Sequence, residues 1–128
     1  MVPDCRFWTD PLFPKGSNMA DPSTREIRQL ARYQVRPEEL ARCVAAIREF
    51  VEYVRANESG TLRYDVWQER DDPTRFVHIF VFRDEASHRT HSASAEVKTF
   101  AGKLYPCCLN PVEFMDYTHV ASKMDLVF

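Results

Sequence analysis

The sequence predicts an α+β fold whose elements run β-α-β-β-α-β around one antiparallel sheet. Three observations carry that reading. Ile27 to Arg36 alternates, with Ile27, Ala31, Tyr33 and Val35 on one side and arginines mostly on the other. Leu40 to Val54 places apolar residues at three-and-four spacing. Phe76 to Phe82 is apolar on both parities. The 128 residues, 45% hydrophobic and 12% aromatic, suffice for one core, since a chain of this size buries roughly two-thirds of its unfolded surface.

The first strand is expected over residues 27–36. Pro37 follows at the position a helix start prefers, and Glu38 and Glu39 favour the positive end of its dipole. The helix then carries Leu40, Cys43, Val44, Ile47, Val51 and Val54 on one face and Arg42, Arg48, Glu49, Glu52 and Arg55 on the other, and ends near Asn57 before a turn at Gly60. Residues 61–70 read as the second strand, Asp71-Asp72-Pro73 as a turn, and 76–82 as the third strand. Asp84 is a candidate N-cap for a short helical segment through Thr90, and Ser94 for a helix with Val97, Phe100, Ala101 and Leu104, stopped by Pro106. Residues 112–121 complete the set as a fourth strand, with Pro111 at its mouth. This order is the ferredoxin-like split βαβ arrangement.

Outside that domain, expected over residues 27–121, residues 1–26 hold four of the eight prolines and show neither period, and residues 122–128 form a tail. Phe7, Trp8, Leu12 and Phe13 are too apolar for a bare linker. Two readings stand for the leading segment: an arm packing on the domain or a partner, or an extension ahead of a start at Met19.

Several function classes are excluded. Seventeen basic against nineteen acidic residues, a net charge of −2, leave no electrostatic footprint for nucleic acid. No run of about 18 apolar residues predicts a membrane span. Three glycines do not make a phosphate cradle or a dinucleotide fingerprint. The cysteines, Cys5, Cys43, Cys107 and Cys108, form no C-x-x-C pair. No charged segment leads into an apolar one at the start, so reduced thiols and a cytoplasmic location are expected.

The third strand adds an architectural constraint. Helices cover one face of such a sheet, yet the strand puts Phe76, His78, Phe80 and Phe82 on one face and Val77, Ile79 and Val81 on the other. An uncovered apolar row is uncommon on a monomer. The simplest cover is the same face of a second copy, giving a homodimer that forms a two-copy α+β barrel; the Pro-rich arm is the other candidate.

Among the histidines, His88 and His91 lie three apart, and no spacing supplies three or four convergent metal ligands. His88 reads as a solvated residue and His119 as a partly exposed strand residue. His91, beside the Ser92-Ala93-Ser94 corner, is placed to look between helices and sheet, where a neutral imidazole takes a phenolic proton. An ordinary packed histidine is the other reading, and the residues alone leave both open. An aromatic-lined space would suit a planar apolar ligand; core packing explains most of the rings equally well.

The ordered series Gly60-x-Leu62-x-Tyr64, Asp72-Pro73-x-Arg75-Phe76-Val77 and Arg83-Asp84-Glu85-Ala86-x-x-x-x-His91-x-x-Ser94, continuing through Phe100, Leu104 and Pro111 to Tyr117, resembles the antibiotic biosynthesis monooxygenase domain. The resemblance implies a dimeric α+β barrel with a cavity between helices and sheet, and oxidation of a small aromatic quinol or phenol by molecular oxygen without flavin or metal. It places the family's helix histidine at His91, as catalytic base or hydrogen-bond partner. Tyr64, Trp67, His78, Phe80, Phe82 and Phe100 are the pocket candidates, although period-two geometry keeps Tyr64 and Trp67 off the same face. One departure stands out: where many members carry Glu-x-Trp-x-Asp, this chain has Phe80-Val81-Phe82-Arg83-Asp84. His78 substitutes for the missing acid only if it faces the same cavity. A non-catalytic dimer binding a small hydrophobic ligand, and a heme-binding member of the fold, remain the alternatives.

Overall fold

A computed structural model describes residues 25–123; the expectations for most of the leading segment and the end of the tail lie outside the described residues. The elements are β1 (Ile27–Gln34), a 3-10 turn at Pro37–Glu39, α1 (Leu40–Asn57), β2 (Thr61–Gln68), β3 (Arg75–Phe82), α2 (Glu85–Ala93), α3 (Ala95–Leu104), a second 3-10 turn at Tyr105–Cys107, and β4 (Glu113–Tyr117). All strand pairs are antiparallel in the order β2-β3-β1-β4. This is the expected ferredoxin-like α+β fold. No helix among the described residues is long and apolar enough to cross a membrane.

Boundaries shift for local reasons. β1 ends at Gln34 because Val35 turns to a single bridge with Cys108 and the Arg36 N–H bonds to the Cys107 carbonyl. α2 is longer than expected, a full helix to Ala93, with Asp84 as its N-cap accepting the Ser87 N–H at 2.8 Å. Ser94 caps α3 by accepting the Val97 N–H at 3.0 Å. β4 stops at Tyr117, so His119 lies beyond the strand.

The buried face of α1 is Cys43, Ile47, Phe50 and Val54. Phe50, absent from the apolar stripe read in the sequence, is its centre: its ring stacks on Phe100 of α3 at 4.7 Å and 4° and lies 5.7 Å from the His91 ring. Beneath, the sheet presents Ala31, Tyr33, Phe76, His78, Phe80 and Phe82, all buried.

On the opposite face, Val77 and Ile79 are half-buried and Val81 is buried. Val81 is in register with Arg28 on one side and Arg63 on the other, whose aliphatic stems can shield it. Val77 is in register with Trp67, which is 57% exposed.

The α1–β2 turn fixes the height of α2 above the sheet. A β-carbon at Gly60 would lie 2.5 Å from Ser87 Cβ and closer still to its hydroxyl oxygen, so only glycine lets α2 come this close. The Gly60 carbonyl also accepts the Arg83 N–H at 2.8 Å, tying the turn to the end of β3. Gly60→Ala is therefore expected to destabilise the protein by about 1–3 kcal/mol, the usual range for forced overpacking. Adding Ser87→Gly should recover part of that loss in urea denaturation, whereas no coupling between the two substitutions would contradict the contact.

Candidate functional site

Ser87 and His91 are one helical turn apart and share a face of α2. Seating Ser87 on Gly60 therefore brings His91 down beside Glu58, the residue that ends α1. His91 Nδ1–H donates to Glu58 Oε1 at 2.7 Å, and Thr61 Oγ1 donates to the same oxygen at 2.8 Å. Both partners are nearly enclosed, His91 at 6% exposure and Glu58 at 8%. Burial pushes the Glu58 carboxyl up, but the hydrogen bonds from His91 and Thr61 and the attraction of the imidazole outweigh it and hold it below the ordinary range. An ionised carboxylate only accepts hydrogen bonds, so the shared proton stays on Nδ1 and Nε2 becomes the basic nitrogen.

His91 lines a cavity of about 130 Å³ between the sheet and α3. An engineered cavity of similar size in another protein takes up benzene, so this space fits one aromatic ring. The sheet contributes Gln29, Ala31, Tyr33, Tyr64, His78, Phe80 and Phe114, and the helices Phe50, His88, His91, Phe100 and Leu104, with Lys98 on the exposed side of α3. Tyr64 and Phe80 stack at 4.5 Å and 20° to form an aromatic floor, with Phe80 5.5 Å from His91.

His78 occupies the same cavity. It bridges two phenols: Tyr33 Oη lies 2.6 Å from Nε2 and Tyr64 Oη 2.9 Å from Nδ1. Burial drives His78 down to about 3 and raises both tyrosine hydroxyls above their ordinary value. The ring is neutral at physiological pH, and one of its nitrogens donates while the other accepts. His78 thus shares the cavity as a fixed polar strut, without the negative charge of the carboxylate it was expected to replace.

Of the sequence-derived candidates, the structure brings His91, Tyr64, His78, Phe80 and Phe100 together around this cavity. Two do not join them. Trp67 is on the opposite sheet face, because beyond the register shift between Thr61 and Arg63 the odd-numbered residues of β2 point away from the helices. Phe82 is fully buried behind the site, 4.9 Å from the His88 ring and 5.1 Å from the His91 ring, and supports both without reaching the cavity. His88, expected in solvent, is buried at 3% and lines the cavity; burial, aided by neighbouring His91 and Arg89, drives it down to about 4. Glu58, Tyr33, Phe50 and Gln29 were missed as site residues. Period two on β1 could have found Tyr33 and Gln29; nothing in the sequence pairs Glu58 with His91 across 33 positions. Among the described residues no group of three His, Cys, Asp or Glu side chains is placed to hold a metal ion.

The family model for antibiotic biosynthesis monooxygenase matches residues 26–103. The chain belongs to this family. Solved structures agree on the antibiotic biosynthesis monooxygenase fold. A Bacteroides thetaiotaomicron protein, provisionally named for the same family, superposes with a TM-score of 0.73 at 21% identity, covering 82% of this chain and 99% of that one. A conserved protein of Methanosarcina mazei gives 0.68 at 27% identity, covering 75% and 94%. One from Nitrosomonas europaea, also provisionally named as an antibiotic biosynthesis monooxygenase, gives 0.70 at 22%, covering 76% and 92%. A search of curated proteins finds no match.

The buried neutral His78 makes a pH prediction. An unfolded histidine titrates near 6.5, so below that value the unfolded chain takes up a proton that folded His78 refuses until about 3. Stability must therefore fall as pH drops, by up to about 1.4 kcal/mol per pH unit for each such histidine. Glu58, held low, adds stability above the ordinary carboxylate range near 4.3 and loses it only at lower pH. Urea denaturation between pH 6.5 and 5 should show a slope that is smaller by about one proton in His78→Gln. An unchanged slope would mean that His78 is protonated in the native state.

Proposed function

We propose that the protein is a cofactor-independent monooxygenase that oxidises a small aromatic quinol or phenol with molecular oxygen, with His91 as the base. The observation that carries this reading is the buried Glu58–His91 pair set against an aromatic cavity of one-ring size. Nδ1–H is committed to Glu58, so Nε2 is free to take the phenolic proton, and the Glu58 carboxylate stabilises the imidazolium that forms. The resulting phenolate is electron-rich enough to reduce oxygen itself. A ring carbon gains a C–O bond and loses its hydrogen, the O–O bond breaks, and the second oxygen leaves as water. Quinol plus dioxygen gives hydroxyquinone plus water, with the four electrons supplied by the ring.

The exposed Trp67 beside Val77 on the helix-free sheet face supports a homodimer through that face. A non-catalytic hydrophobic-ligand binder is the second reading. It is favoured by Phe80, an apolar ring in place of the family's strand-three glutamate. Heme fits poorly, since a porphyrin is several-fold larger than the cavity.

Oxygen uptake with single-ring hydroquinones tests the assignment. The wild type should consume one dioxygen per quinol converted to hydroxyquinone. His91→Ala should lower kcat by about 10²-fold or more, and Glu58→Gln by about 10-fold or more, with both variants folded by circular dichroism. Wild-type turnover in His91→Ala would overturn the role of His91; ligand-induced stabilisation without any oxygen uptake would favour the binding role.

A further inference from the structure

Gln29 lies on the helix-facing side of β1, in register with Phe80 on one neighbouring strand and Asp116 on the other. It lines the cavity and is only 6% exposed. Its Nε2 is buried and makes no hydrogen bond. Tyr33, Tyr64, His78 and His91, four of the polar side chains that line the same cavity, each make a hydrogen bond. A buried donor left unpaired loses its hydration with nothing in return, and an unbranched apolar side chain would fill the same space without that cost. No hydrogen bond among the described residues uses this donor, which leaves it open to an acceptor brought in from outside.

We propose that Gln29 is a ligand-binding residue, whose amide N–H donates to an acceptor oxygen on the aromatic molecule held against Phe80. The cavity then selects neutral aromatics bearing such an oxygen over hydrocarbons of the same shape. A site built to hydrogen-bond a ligand discriminates strongly against the analogue that leaves its polar group unpaired. The inference shares the cavity with the proposed monooxygenase reading and extends it to ligand selection, but its test involves no turnover.

Acetophenone and isopropylbenzene have similar shapes, and only the ketone offers an acceptor. Calorimetric titration at pH 7 should find acetophenone bound about 10-fold tighter or more by the wild type. Gln29→Met should bring the two within about 3-fold through loss of acetophenone affinity. The unliganded variant should melt at or above the wild-type temperature, because the unpaired amide is gone. In the wild type itself, the Gln29 side-chain amide resonances should move with acetophenone and stay in place with isopropylbenzene, a readout that does not depend on the variant folding. Equal binding of the two compounds by the wild type, an undiminished preference in Gln29→Met, or amide resonances indifferent to acetophenone would overturn the proposal. If the preference holds and quinols still elicit no oxygen uptake, the monooxygenase reading fails alone.

Discussion

A carboxylate taken out of water costs several kcal/mol unless donors reach it, and Glu58 gathers two of them on Oε1, one from His91 and one from Thr61, while its buried Oε2 has no partner among the described residues. Much of the architecture around the site follows from keeping that arrangement. α1 must end where it does, so that Glu58, its C-cap, turns inward. The turn must carry glycine at position 60, so that Ser87 can rest on it. α2 must then run from Asp84 in the phase that places His91, one turn beyond Ser87, over the carboxylate. The pair joins segments distant in sequence and gives the histidine a fixed orientation and a defined acceptor nitrogen.

The rings around the pair serve two purposes at once. Phe50 stacks on Phe100 between the helices, Tyr64 stacks on Phe80 within the sheet, and Phe50 meets Tyr64 edge-on between the two layers; the space they leave is the candidate site. His78 shows how polarity is accommodated in such a place. Its two nitrogens are satisfied by Tyr33 and Tyr64, so a neutral imidazole is held in the core at the expense of stability in acid. Both histidines are therefore fixed, but differently: His91 by a carboxylate, which sets the orientation of its ring, and His78 by two neutral hydroxyls.

The fold was legible because it depends on period and punctuation, both local. The strand alternation, the α1 stripe, and the caps Asp84 and Ser94 all lie within a few residues of what they organise. The site was legible in part. His91 announced itself by its position at a helix corner, and parity on β3 grouped His78 with Phe80. Parity shows which face a residue takes and not how deep it lies, so Phe82 was grouped with the cavity residues when it backs them. Parity also separated Trp67 from Tyr64 without saying which of the two faces the cavity. His88 looked solvent-facing because the segment around it is polar, but Phe82 packs against its ring. Glu58 was least legible: a glutamate at a helix end is ordinarily solvated, and only the close seat of α2 on Gly60 buries it.

The state of the His91 ring tests the account most directly. In ¹⁵N-labelled protein, long-range ¹H–¹⁵N spectra distinguish the protonated from the unprotonated nitrogen of each neutral imidazole. The account predicts that neutral His91 carries its proton on Nδ1, with Nε2 as the free base, and that Glu58→Gln shifts both nitrogen signals. A proton on Nε2, or signals unmoved by the loss of the carboxylate charge, would contradict it.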